Sequence, residues 1–87
     1  MKYSYYALFT TNNQGRIEVT FPDLAPHVAT FGNNLPDAQR MAADALVGYL
    51  LTAESLGIKL PQPSSFQDLT PDSQQRLIPI EVDTKSN

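Results

Sequence analysis

The first third of the chain alternates between hydrophobic and polar residues, which is the pattern of β-strands. Residues 2–11 (KYSYYALFTT) are rich in aromatic residues and threonine, and residues 16–21 (RIEVTF) alternate most strictly. The intervening TNNQG, with Gly15 at its end, predicts a hairpin loop. Pro22 cannot donate a hydrogen bond to a sheet, so the second strand must end there. Residues 27–31 (HVATF) then complete a predicted three-stranded antiparallel meander.

A long amphipathic helix is predicted to follow the meander. Asn34 is a good N-cap, Pro36 fits the first turn, and Asp37 suits the positive end of a helix. Between residues 35 and 56, apolar side chains recur at spacings of three and four over about five turns. Gly57 stands where a left-handed residue would end the helix. The alanines in this stripe predict close packing on a sheet.

The last third of the chain predicts a connector and one more strand. Residues 58–65 (IKLPQPSS) contain two prolines and two serines, which favour an extended connector. Residues 70–72 (TPD) predict the start of one or two helical turns. Residues 77–82 (LIPIEV) predict a short final strand, in which Pro79 requires a sheet edge or a strand end. The predicted fold is therefore α+β, in the order β-β-β-α-β, with one sheet face left uncovered.

Length and composition indicate one small domain. The chain has 87 residues and no cysteine, so we expect a single domain over residues 1–83 without disulfides, and a frayed tail over 84–87. No apolar run approaches the length of a membrane span, and the N-terminus lacks the pattern of a signal peptide. We therefore expect a cytoplasmic protein.

The charge of the chain favours a protein partner over a nucleic acid. Nine acidic residues and six basic residues give a formal net charge of −3, and the basic residues are scattered singly along the chain. Binding to nucleic acid depends largely on neutralising phosphates with clustered basic residues. An acidic domain suits a basic protein partner instead.

Several short motifs occur here in an order that is typical of one family. They are YYALF (5–9), Gly15, VTFPDL (19–24), TFG (30–32), a capped helix that ends at Gly57, LPQPSS (60–65) and LIPIEVD (77–83). In this order the chain resembles the N-terminal domain of HicB-type antitoxins, the antitoxin half of HicA–HicB toxin–antitoxin pairs. The resemblance covers nearly the whole chain.

The resemblance implies a partial ribonuclease-H-like fold and a non-enzymatic role. HicB proteins bind the small, basic ribonuclease HicA and cover its active site, so the implied partner is a HicA-like toxin. Two segments depart from the family pattern, Ala25-Pro26-His27 and Asn33-Asn34. Most HicB antitoxins also continue into a DNA-binding segment, which this sequence lacks after Asp83. Binding to DNA is therefore not expected.

The acidic residues do not predict a nuclease. Ribonuclease-H-like enzymes use two metal ions that clustered carboxylates hold. Glu18, Asp23 and Asp37 each have a local role in a strand, a turn or a helix cap, and the first strand carries no acidic residue. His27 has no second catalytic group placed with it by a recognisable pattern, so it is interpreted as an exposed loop histidine. We expect no enzymatic activity, cofactor or metal site.

Two groups of residues are predicted to contact partners. Phe21, Pro22 and Asp23 form the turn after the second strand. Val47 and Leu51 lie one helical turn apart and off the main apolar stripe, so they predict either core packing or a subunit interface. The low charge of the chain also favours self-association, and a homodimer is expected.

Two other functions remain open. Tyr3, Tyr5, Tyr6 and Phe9 would form an aromatic platform for RNA bases or a nucleotide if they were exposed, although only Lys2 flanks them with positive charge. The second open function is that of a self-assembling structural domain.

Overall fold

The structure, a computed structural model, describes residues 2–85 and contains a four-stranded sheet with one long helix on one face. The strands are β1 (Lys2–Thr11), β2 (Ile17–Thr20), β3 (Ala29–Gly32) and β4 (Gln75–Asp83), and the helix is α1 (Leu35–Leu56). The sheet is antiparallel with the order β3-β2-β1-β4. The predicted α+β arrangement of β-β-β-α-β is confirmed.

The β1–β2 hairpin forms where TNNQG predicted it. Thr11 pairs with Ile17 across the turn. The side-chain oxygen of Asn12 accepts hydrogen bonds from the backbone N–H groups of Gln14 and Arg16, at 2.9 and 3.0 Å. Gly15 has a φ of 81°, in the left-handed region that glycine adopts at little cost. Local turn chemistry therefore sets this connection.

The last strand lies beside the first one. β4 pairs with β1 from Lys2 opposite Asp83 to Thr10 opposite Gln75, and it is longer than the predicted 77–82 because β1 offers partners along its whole length. Since β4 is an edge strand, Pro79 removes no hydrogen bond from a central ladder, as predicted.

Residues 66–75 differ from the prediction. A 3₁₀ turn occurs earlier, at Phe66–Asp68, and no helix begins at residues 70–72. The carboxylate of Asp72 instead accepts from the backbone N–H of Gln74 at 2.9 Å, and its carbonyl accepts from the N–H of Gln75. Asp72 thus closes a tight turn before β4. The extended connector over residues 58–65 is confirmed.

The two ends of α1 are capped as the sequence predicts. Asn34 accepts a hydrogen bond from the N–H of Asp37 at 2.9 Å, and the Asp37 carboxylate accepts one from the N–H of Asn33 at 3.0 Å. At the other end Gly57 has a φ of 69°, and its N–H donates to the carbonyls of Ala53 and Glu54. These caps satisfy terminal backbone groups that the helix itself leaves unpaired.

The hydrophobic core lies between α1 and the sheet face that we call the inner face. Tyr5, Ala7 and Phe9 of β1 and Val19 of β2 are buried there. The helix buries the small residues Ala38 and Ala42 and the larger Leu46 and Leu50 against them. Phe21, Leu24 and Val28, from the segment between β2 and β3, complete the core.

The start of α1 approaches β3 so closely that only glycine fits at position 32. A Cβ atom on Gly32 would lie 2.4 Å from the backbone nitrogen of Ala38 and 2.5 Å from its Cα. Backbone cannot rotate away from such a clash as a flexible side chain would. Gly32 therefore sets how near the helix lies to the sheet.

We expect Gly32→Ala to lower the free energy of unfolding by about 1–3 kcal/mol, because strand and helix must separate to admit the methyl group. Urea unfolding followed by circular dichroism would measure this. Gly48→Ala is the matched control, because a Cβ there meets no atom within 4 Å and alanine favours a helix by about 1 kcal/mol. Equal urea midpoints for Gly32→Ala and the unchanged protein would contradict this account of the close contact.

Candidate functional site

The sheet face opposite α1, the outer face, is partly covered by the chain itself. The ring of Phe66 meets the ring of Tyr6 edge-on, with the ring centroids 5.8 Å apart. Beside them, a shallow depression is lined by Leu8, Pro22, Leu69, Pro71 and Leu77, among others. The segment before β4 therefore covers the outer side of β1 and β4. The predicted free face is free only over β2 and β3.

The open part of the outer face, which we call the sheet surface, consists of Arg16, Glu18, Thr20, Ala29 and Phe31. All five residues are exposed, and the ladder sets Glu18 opposite Phe31 and Thr20 opposite Ala29. The side chain of Phe31 is 48% exposed. The guanidinium carbon of Arg16 lies 4.5 Å from the centre of the Phe31 ring, a cation–π contact. An exposed aromatic ring beside charged groups is typical of a protein-contact site.

Phe31 was not predicted from the sequence as a contact residue. The available signal was the alternation in VATFG, where Val28 is buried and Phe31 falls on the opposite face of the strand. β3 has only four residues, and so short a run does not show by itself which of its faces is covered.

The predicted contact group Phe21, Pro22 and Asp23 is engaged within the chain. Phe21 is fully buried in the core, so its side chain does not reach the surface. Pro22 is half-buried at the outer face. The Asp23 carboxylate accepts hydrogen bonds from the backbone N–H of Ser64 at 2.7 Å and from the Ser64 hydroxyl at 2.6 Å. Asp23 thus ties the turn after β2 to the connector.

We expect Asp23→Ala to lower the free energy of unfolding by about 1.5–3 kcal/mol, because hydrogen bonds to a charged group are lost. Amide hydrogen exchange over residues 58–65 should also become faster. Asp68→Ala is the control, because Asp68 accepts only an exposed hydrogen bond from Ser65 at 3.0 Å, and its loss should cost less than about 0.5 kcal/mol. If Asp23→Ala and Asp68→Ala lowered the free energy of unfolding equally, this would contradict the conclusion that Asp23 holds the turn after β2 to the connector.

The far side of α1 carries a small apolar surface, the helix surface, which consists of Val47, Gly48 and Leu51. Leu51 is 46% exposed and Val47 is half-buried. The predicted alternative of core packing therefore does not hold for Leu51. Gly48 is exposed between them, with open space above its Cα.

Charged groups lie beside the helix surface along α1. The Arg40 guanidinium contacts the carboxylate of Asp37 at 2.7 Å and that of Asp44 at 3.7 Å. The hydrogen bond from the backbone N–H of Asn33 has the largest effect on Asp37 and lowers its pKa, and the Arg40 guanidinium lowers this pKa further. The Arg40 side chain remains 64% exposed, so it can still meet a partner.

Glu54 joins the end of α1 to both ends of the described chain. Its Oε2 atom accepts hydrogen bonds from the Tyr3 hydroxyl at 2.8 Å and from the Thr84 hydroxyl at 2.9 Å. Both hydrogen bonds lower the pKa of Glu54, and the bond from Tyr3 has the larger effect. The bond between Tyr3 and Glu54 also raises the pKa of Tyr3. Thr84 is buried, although the sequence placed it in the tail. Residues 86 and 87 of the predicted tail lie outside the described residues.

The lowered pKa values predict loss of stability in acid. A carboxylate whose pKa is lower in the folded state adds stability above its unfolded pKa, near 4.3 for glutamate, and loses it as pH falls through the folded pKa. Glu54→Gln should therefore flatten the fall in urea midpoint from about pH 5 downwards. Glu81→Gln, the same change at an exposed position of β4, should leave the profile as it is. Parallel profiles for Glu54→Gln and the unchanged protein would contradict this role.

The aromatic residues of β1 do not form an open platform. Tyr5 and Phe9 are buried under α1, the Tyr3 hydroxyl is bonded to Glu54, and Phe66 packs on Tyr6. The predicted aromatic face for RNA bases or nucleotides is therefore divided between the core and the covered part of the sheet. No observation favours that function.

His27 is an exposed loop residue, as predicted, and its ring stacks on the ring of Tyr49 with the centroids 6.0 Å apart. Within residues 2–85, no three His, Asp or Glu side chains are grouped so that they would hold a metal ion. No helix in this part of the chain is both long and apolar enough to cross a membrane.

A solved structure described as a toxin–antitoxin complex from Streptococcus pneumoniae contains a similar chain. The match covers 97% of this chain and 71% of that one, with a TM-score of 0.84 and 24% sequence identity. The two chains share a fold. No protein-family model and no curated protein matches the sequence.

Proposed function

We propose that this protein is a non-enzymatic, cytoplasmic antitoxin of the HicB type, which binds a small basic HicA-like ribonuclease and covers its active site. The observation that carries this proposal is the match, over 97% of the chain, to a chain from a toxin–antitoxin complex. The order of the HicB-like motifs in the sequence supports it independently.

The sheet surface is the part of the molecule that we assign to the toxin. Phe31 supplies a half-exposed aromatic ring, and burial of such a ring at the centre of an interface often contributes about 2 kcal/mol or more. Glu18 lies opposite Phe31 and would meet a lysine or arginine of a basic partner. β3 is also an edge strand of the sheet, so its outer backbone groups can pair with an extended segment of the toxin.

The mechanism requires masking and no catalytic group. The net charge of −3 attracts a basic protein at long range, which raises the association rate and weakens with added salt. Once the toxin is seated on the sheet surface, the bulk of the domain would exclude RNA from the active site of the toxin.

We expect Phe31→Ala to weaken toxin binding by about 30-fold, which corresponds to the loss of about 2 kcal/mol from an aromatic contact. The fold should persist, because the ring is half-exposed. The probe is a HicA-like ribonuclease in a catalytically inactive form, and titration calorimetry measures its affinity. Inhibition of the active form tests masking directly.

Leu56→Ala is the matched control. Leu56 is 69% exposed but lies on α1, on the other side of the sheet, so its loss should leave the affinity unchanged. Two results would overturn the proposal: no binding of the unchanged protein to such a toxin, or equal affinities for Phe31→Ala and Leu56→Ala.

A further inference from the structure

The first half of β1 extends beyond the end of β2. The pairing of β1 with β2 stops where Leu8 lies opposite Thr20, so within the described sheet residues 2–7 pair with β4 alone. Pro22 would come next, opposite Tyr6, but it has no N–H to donate and the chain turns away there. The place in the sheet beside residues 2–7, in line with β2, is therefore not filled by a strand.

The backbone of every second residue points into this place. Asn12 donates its N–H to the carbonyl of Arg16 at 2.9 Å, so its backbone faces β2, and the two-residue period of a strand directs Ser4 and Tyr6 to the same side. Tyr6 lies opposite Pro79 of β4, where a proline fits because the backbone of Tyr6 points the other way. Among residues 2–85, no other segment forms a hydrogen bond with the backbone of Ser4 or Tyr6 on this side. These groups form an open strand edge.

A groove of about 400 Å³ lies along this edge, and we call it the strand groove. Its lining includes Lys2, Ser4 and Tyr5 on one side and Ile58, Leu60 and Pro61 of the connector on the other. The Tyr5 hydroxyl donates to the carbonyl of Pro61 at 2.7 Å, which holds the connector at the far end of that side chain and away from the backbone of β1. Pro61 and Pro63 have no N–H, so the connector cannot form a complete ladder with β1.

We propose that the strand groove binds a short extended peptide, which adds to β1 as a strand in line with β2. The backbone of the peptide supplies donors and acceptors for Ser4 and Tyr6. Its side chains must alternate between apolar and polar. On the inner side they meet Leu60, which packs against the core, and Ile58, which is 46% exposed. On the outer side they lie beside the exposed Ser4 and Lys2.

The two walls of the strand groove select a flexible segment of another protein, either a chain terminus or a linker. A bound peptide has β1 on one side and the connector on the other, so it must arrive without a sheet of its own. The edge strands β3 and β4 of a second copy are each bonded to their own sheet, and they would drive that sheet into the connector. A single segment that becomes ordered on binding meets no such obstacle.

The proposed peptide binding is independent of the proposed toxin binding. The strand groove lies beside the first half of β1 and shares no lining residue with the sheet surface on β2 and β3. Phe31→Ala should therefore bind the peptide as the unchanged protein does. Failure of toxin binding and failure of peptide binding are thus distinguishable.

The first experiment locates a bound peptide by amide hydrogen exchange. The probe is the blocked hexapeptide TVEVTV, which alternates polar and apolar residues, and fluorescence anisotropy of a labelled form measures its affinity. At saturation, exchange of the Ser4 and Tyr6 amides, followed by NMR, should slow at least about tenfold, because these groups gain hydrogen bonds. The amides of Tyr5 and Ala7, which face β4, should change little.

Two N-methylated forms of the hexapeptide test whether it adds as a strand. Successive N–H groups of a strand point to opposite sides, so of the third and fourth residues one donates to β1 and the other faces the connector. N-methylation removes a donor and keeps the side chain. One form should therefore bind at least about tenfold more weakly than the unmodified peptide, and the other about as well.

Ile58→Asp and Leu56→Asp are the matched variants of the protein. Ile58→Asp places a charge in the apolar wall of the strand groove and should weaken peptide binding at least about tenfold. Leu56→Asp, at a more exposed leucine outside the groove, should leave the affinity unchanged. Circular dichroism confirms that both variants are folded.

Four results would each overturn the proposal. The first is the absence of saturable binding of the hexapeptide to the unchanged protein. The second is slowed exchange in Ala29–Gly32, the other open edge, in place of Ser4 and Tyr6. The third is equal affinity of the two N-methylated forms, and the fourth is equal affinity of Ile58→Asp and Leu56→Asp.

Discussion

The close packing of α1 on the inner face of the sheet is the constraint on which the other features depend. Gly32 admits the first turn of the helix, and Ala38 and Ala42 keep the helix near the strands over the next turns. The inner face is thereby filled. The surfaces left for other molecules are the far side of the helix and the part of the outer face that residues 66–71 do not cover.

The elements that follow from local chemistry were predictable from the sequence. The bounds of α1 depend on Asn34 and Gly57, whose capping roles need only neighbouring residues. The covering of the outer face was not predictable in this way, because Tyr6 and Phe66 meet across 60 positions of the chain. The turn at Asp72 resembles a helix start in sequence, but the chain enters β4 within three residues.

Among the candidate contact residues, only those on α1 could be predicted from the sequence. Leu51 stands off the apolar stripe of α1, and the helical period alone places it on the far side. Phe21 belongs to the same alternating set as the buried Val19, so the alternation already favoured the core for this residue. Phe31 escaped prediction because the exposure of its face depends on which strands residues 66–71 cover, and the four residues of β3 carry no sign of this long-range packing.

We propose that a toxin binds the sheet surface, which lies on the side of the sheet away from α1. Hydrogen–deuterium exchange of the unchanged protein, with and without the inactive HicA-like toxin, tests the central claim most directly. The account predicts that the toxin slows exchange in residues 17–32. Unchanged exchange there, with protection confined to residues 66–71 or to the far side of α1, would contradict it.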